Sequence, residues 1–154
     1  MTQQAGIASE VRWKTATAVA AIAGIAVLAS VMRWTQRDIR AAQRILAGLA
    51  AGKVSVTRAI HWEQLQAIDL DVGSTYAQLP NDIERRAYQQ SFVANFAEGF
   101  RQAGGRMKAF RGWRIQSRQP ERVVVAVDDT LRGKTLVLSL SASAPKRLEG
   151  VQWQ

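Results

Sequence analysis

Eighteen consecutive residues, Thr15 to Met32, carry no charge, and the spacing of apolar positions changes several times after them. At about 1.5 Å of rise per residue the run covers about 27 Å, close to the hydrocarbon thickness of a bilayer, and so predicts a transmembrane helix over 15–32. Trp13 and Lys14 before it, and Arg33 and Trp34 after it, are the indole and cationic groups that settle at membrane interfaces. Ala16, Ala20 and Gly24 recur every four residues, a small-residue stripe that permits close packing of a second helix. Residues 1–14 read as a short polar tail. The run exceeds the apolar core of a cleaved signal peptide and lacks a clean small-x-small site before Arg33, which predicts an uncleaved signal-anchor.

Residues 33–57 predict a juxtamembrane helix and linker. Ile39, Ala42, Ile45, Leu46 and Leu49 share one face and Arg37, Arg40 and Arg44 another, an arrangement suited to a stalk or a membrane surface. From Arg58 to Leu79 the apolar positions Ile60, Leu65, Ile68, Val72, Tyr76 and Leu79 approximate helical spacing. Asp69 or Asp71 is placed to cap a second short helix at a bend there. Asn81 with Glu84 three residues later has the form of a capping box, and Gly104-Gly105 supplies a left-handed stop. Between them Tyr88, Phe92, Phe96 and Phe100 recur every four residues, an aromatic face that predicts burial. After Gly105 the period falls to two: Trp113, Ile115 and Ser117; Val123, Val125 and Val127; Leu136, Leu138 and Leu140; then Val151 and Trp153. Turn residues separate these runs, so four strands in an antiparallel meander are expected. Helices followed by strands predict an α+β fold over 58–154, with helices packed on a four-stranded antiparallel sheet behind one transmembrane helix.

The order helix, bent helix, aromatic-faced helix and four strands resembles the cystatin-like cone shared with the nuclear-transport-factor-2-like superfamily. LPNDIERRAYQQSFVANFAEGF, GGRMKAFRGWRI, the valine-rich strand and the terminal VQW carry the resemblance, which covers Arg58 to Gln154. It is also similar to small extracytoplasmic domains borne on one N-terminal span in bacteria. The resemblance implies a curved sheet wrapped on helices, in a superfamily that includes enzymes, ligand binders and scaffolds.

Charge sharpens the membrane reading. Of the net +9, +6 falls in residues 1–58 and +3 in 59–154, so anionic headgroups suffice to explain the basic excess and nucleic acid is not expected as a partner. The absence of cysteine excludes disulfides, thiolate metal sites and a Cys nucleophile. His61 is the single histidine, which is too few for a familiar zinc site, and the close acidic pairs Asp69/Asp71 and Asp128/Asp129 sit where Asp caps helices and makes turns. No catalytic residue, metal ligand or cofactor is therefore assigned, and an enzyme is not expected.

Two surfaces remain as candidates. Trp62, Phe96, Phe100 and Trp113 are the aromatic residues that would line an apolar pocket in the cone. Arg111, Arg114, Arg118 and Arg122 follow one another with Glu121 the single acid among them, a candidate basic patch for phosphate, headgroups or an acidic partner. The expectation is a single-pass bacterial inner-membrane protein with its C-terminal domain outside the cytoplasm. It would act as an accessory or scaffold subunit docking on an integral membrane partner or on its own copies. The alternative is a tethered binding module for a small apolar ligand or an anionic partner.

Overall fold

The computed structural model describes residues 30–68 and 70–154. Residues 30–36 belong to one unit, 1–36, and the remainder to a second, 37–154. Residues 30–36 are helical, the Thr35 hydroxyl donates to the Val31 carbonyl at 2.9 Å, and Val31, Met32 and Trp34 are exposed.

In the second unit, residues 37–50 form helix α1. Its stripe of Ala41, Ala42, Ile45, Leu46 and Leu49 lies in the main core, so the face read from sequence as a stalk or membrane surface is spent on packing. Among the described residues no helix is long and apolar enough to cross a membrane. The expected transmembrane helix is corrected on that finding, and with it the signal-anchor and the single-pass inner-membrane placement with an exported domain. Of the expected 15–32 span, residues 15–29 lie outside the described residues, and Val31 and Met32 at its end are exposed. Trp13, Lys14, Ala16, Ala20 and Gly24 lie outside the described residues, while Arg33 and Trp34 are exposed.

Two 3₁₀ turns, Val54–Ala59 and Trp62–Gln64, lead into strands β1 (Gln66–Ala67) and β2 (Leu70–Asp71) and helix α2 (Val72–Ala77). Of the two helices expected over 58–79, the second begins after its Asp71 cap as α2, while 3₁₀ turns and two short strands stand in place of the first. Helix α3 (Asp82–Gln102) begins where the capping-box spacing places it. Glu84 N–H donates to Asn81 Oδ1 at 2.9 Å, the Asn81 amide donates to Glu84 Oε1 at 3.0 Å, and Gly104 supplies the stop at φ 69°. Strands β3 (Phe110–Arg118), β4 (Arg122–Asp129), β5 (Lys134–Ser141) and β6 (Leu148–Trp153) complete the chain.

The sheet has six strands in the order β2-β1-β6-β5-β4-β3, with β1 parallel to β6 and the other pairs antiparallel. This corrects the expected four-stranded antiparallel sheet. Strands of two residues are too short to display a period, and the β1–β6 pairing joins positions more than eighty residues apart, beyond the reach of local patterning. The α+β class stands. Val123, Val125, Val127, Leu136, Leu138 and Leu140 alternate into the core as their period requires, and each is at most 2% exposed. Register shifts in β3–β4 and β5–β6 mark bulges, and bulges bend strands.

One buried carboxylate ties α1 to the sheet. Asp38, 3% exposed, accepts from Arg118 of β3 at 2.7 Å and lies 3.3 Å from Lys146 Nζ in the β5–β6 connection. Removing it strands two cations, although Arg118 keeps 40% of its side chain in water, which softens the loss. Asp38→Ala should lower unfolding free energy by about 2 kcal/mol, read from the urea midpoint at constant slope.

Candidate binding groove

Asp71 closes β2 and caps α2: its carboxylate accepts the Ser74 backbone N–H at 3.0 Å and the Ser74 hydroxyl at 2.6 Å. Those two bonds hold the Asp71 carboxyl below the usual carboxylate range. One residue into α2, a side chain at Gly73 would meet the Glu63 carbonyl at 2.4 Å, so only glycine lets α2 seat this closely on the second 3₁₀ turn. The β1–β2 turn is set by Ile68, whose amide donates to Val151 of β6 at 2.9 Å. Ile68 has φ 49°, the left-handed region that a β-branched residue enters only under strain.

The opposite wall comes from α3. Four-residue spacing stacks Tyr88, Phe92, Phe96 and Phe100 along one side, and all four are half-buried. Trp62 braces this row from behind. Its ring meets Phe92 edge-on at 5.5 Å and Tyr88 at 6.5 Å, and its indole N–H donates to the Thr57 carbonyl at 2.9 Å. The row continues as Phe96, Phe100, Phe110 and Trp153, each ring 6.0 to 6.5 Å from the next.

Between the hairpin and α3 lies a half-open groove of about 560 Å³. Its hairpin and α2 side is Ile68, Leu70, Val72 and Thr75, and its α3 side is Tyr88, Ser91, Phe92, Asn95 and Phe96, with Asp71 also on the lining. The volume falls in the range of about 300 to 1,000 Å³ typical of small-molecule sites. Two apolar residues on the hairpin stay in water: Leu70 is 66% exposed and Ile68 47%.

Of the four residues picked from sequence for a pocket, Phe96 lines this groove and Trp62 stands one ring behind it. Phe100 lies further along the aromatic row, and Trp113 packs half-buried against the core from β3; neither lines the groove. Sequence reasoning missed Ile68 and Leu70 because it foresaw no β-hairpin between residues 66 and 71. The available signal was the set Tyr88, Ser91 and Asn95, spaced three and four apart beside the aromatic face.

The four arginines of the basic patch are placed differently from one another. Arg114 forks onto Asp128 at 2.7 and 3.1 Å, Arg118 makes a single bond to Asp38, and Arg122 lies 3.4 Å from buried Glu149, which His61 also approaches at 3.4 Å. Glu149 is the extra residue of the β6 bulge, since Ser139 faces Gly150 and Leu140 faces Leu148. Arg111 alone of the four makes no ion pair among the described residues. Asp129, 2% exposed, accepts the Leu131 amide at 2.9 Å in the β4–β5 turn. Among the described residues no three His, Asp or Glu side chains are grouped to hold a metal ion, and Asp69 lies outside the described residues.

No protein-family model, curated protein or solved structure matches the chain.

Two outcomes test this geometry. Ile68→Asn keeps the backbone bond to Val151 and places a residue tolerant of positive φ in the turn, so stability should rise by about 1 kcal/mol in urea titration. Arg114 first, and then Thr135, hold the Asp128 carboxyl below its ordinary value. A depressed carboxyl contributes stability that is complete above the unfolded value of about 4 and is lost as pH falls through the folded value. Asp128→Asn should therefore lower the Tm at pH 6, with the difference from wild type closing toward pH 2.

Proposed function

We propose that the domain is a non-enzymatic binding module that takes a small, largely apolar ligand in the groove between the β1–β2 hairpin and α3. The observation that carries this reading is the groove itself: a volume of small-molecule size, three aromatic rings on one wall, and exposed Ile68 and Leu70 on the other. A ligand lying there would remove apolar surface from water at about 25 cal/mol per Å² against walls already braced by Trp62. Among the described residues the groove takes its lining from the hairpin, α2 and α3 and none from β3–β6.

The accessory or scaffold reading ranks second. Exposed apolar Ile83, at the start of α3, and Leu131, in the β4–β5 turn, lie outside the groove and give it some apolar surface for a protein partner. Stoichiometric copurification of a second chain, lost in Ile83→Ser or Leu131→Ser, would raise it above the first.

The first reading predicts saturable binding of the neutral dye N-phenyl-1-naphthylamine to the full chain, with enhanced, blue-shifted emission. Leu70→Asp, an exposed position that should leave the fold intact, places a charge on the wall and should weaken binding at least about tenfold. Dye that fails to bind, or binds the variant equally well, overturns the assignment of this groove.

A further inference from the structure

The lining has a polarity pattern that narrows the ligand. Among the described residues Asp71 is the one on the lining that is charged at neutral pH, and no Lys, Arg or His joins it, in a chain of net charge +9. Its carboxylate is fixed in place by the two bonds from Ser74. An anionic group entering the groove would give up water beside a like charge with no cation to receive it.

The α3 wall offers hydrogen bonds instead. Tyr88, Ser91 and Asn95 fall on one side of the helix at spacings of three and four, and all three line the groove. Among the described residues nothing hydrogen-bonds the Tyr88 hydroxyl, the Ser91 hydroxyl or the Asn95 amide, whereas the neighbouring polar side chain Gln89 is engaged with the Tyr76 hydroxyl at 3.0 Å. Tyr88 is held by ring contacts to Trp62 at 6.5 Å and Tyr76 at 6.3 Å, so its hydroxyl is presented from a braced ring. Two hydroxyls and one amide together donate and accept without net charge. From residue 88 to residue 96 the wall runs about 12 Å along the helix, a length that suits an extended molecule.

We propose that the groove selects an uncharged, elongated apolar molecule bearing a hydroxyl or carbonyl group, held at that group by Tyr88, Ser91 and Asn95 and covered along its body by Ile68, Leu70 and Phe96, and that it rejects anionic amphiphiles through Asp71. This rests on the groove being the ligand site. Ser91 and Asn95 are exposed, so their free polar groups are accessible to a ligand without rearrangement of the core.

The test is displacement of N-phenyl-1-naphthylamine from the full chain by 1-decanol and by decanoate at pH 8, where decanoate is ionised. Decanol should compete at least about tenfold more tightly than decanoate. In the double variant Ser91→Ala/Asn95→Ala, decanol affinity, obtained by displacement using the variant's own directly measured dye affinity, should weaken about tenfold. In Asp71→Asn, which retains an α2 cap, decanoate should close most of its gap to decanol. Dye bound by wild type but displaced as well or better by decanoate overturns the head-group selectivity and leaves the groove standing. Unchanged decanol affinity in the double variant overturns the role of the α3 polar groups, and an unchanged gap in Asp71→Asn overturns exclusion by that carboxylate. Dye that does not bind wild type, or is insensitive to Leu70→Asp, removes the groove reading beneath the proposal.

Discussion

The parallel pairing of Gln66–Ala67 with Gly150–Val151 is the contact on which the groove depends. It is short, yet other links to the same strand reinforce it. Ile60 bridges Leu148, the His61 amide donates to the Leu148 carbonyl at 2.9 Å, and the Ile68 amide donates to Val151 at 2.9 Å. Together they fix residues 60–68 along one edge of β6, and the hairpin has one place to turn. That turn sets Ile68 and Leu70 opposite α3 and aims Asp71 to cap α2, so a few backbone bonds decide both the width of the groove and the charge on its lining. Parallel pairing at long sequence separation carries a loop-closure penalty that the strand pair alone does not offset. Burial of Leu65, Val72 and Trp62 around it supplies the remainder.

Charge is organised as locally as the backbone. The net charge of +9 would suggest an open basic surface, but of the four arginines along β3 and β4, Arg114, Arg118 and Arg122 are spent on carboxylates. Asp38, Asp129 and Glu149 are each at least nine-tenths buried, and each has a cationic partner, which is the condition under which a charged group is tolerated inside. Their geometric effect is to join elements distant in sequence. Asp38 links α1 to β3 and to the β5–β6 connection, while Glu149 gathers β4 and the segment before the second 3₁₀ turn. The groove draws its lining from other elements, and among the described residues there Asp71 is the charged one.

What could be read from the chain tracks how local the cause was. The α3 cap, its glycine stop and its aromatic row depend on neighbours within four residues, and strands β3 to β6 are long enough for a period of two to emerge. The stripe of α1 was legible as amphipathic, but apolar spacing cannot say whether a lipid or a sheet will cover it; 37–50 turns it into the core. The hairpin was illegible for two reasons. Each strand has two residues, and its turn uses an isoleucine at φ 49° where a pattern search looks for Gly or Asn. Phe96 was assigned to a pocket from its spacing, but the other wall comes from that hairpin, so Phe100 and Trp113 were chosen for a different geometry from the one present. The arginines of β3 suffered the same limitation, because Asp38 stands eighty residues before Arg118 and no window joins them.

The strain in the hairpin and the exposure of its apolar side chains point in one direction. A β-branched residue in the left-handed region costs about 1 to 3 kcal/mol, a sizeable part of the roughly 5 to 15 kcal/mol by which a domain of this size is stable. Leu70 and Ile68 add apolar surface left in water. Neither feature is required by the pairing with β6, which uses the backbone at Gln66, Ala67 and Ile68 and is indifferent to the side chain carried there. An Asn or Gly in the turn and a polar residue at position 70 would serve the free domain better by both criteria. The side chains present are those that furnish an apolar wall facing Phe92 and Phe96, and a wall of that kind gains its stabilisation when something apolar lies between the two sides. The strain at Ile68 and the exposed apolar side chains are thus two aspects of one arrangement, in which the surface that costs the free hairpin stability is the surface that lines the groove.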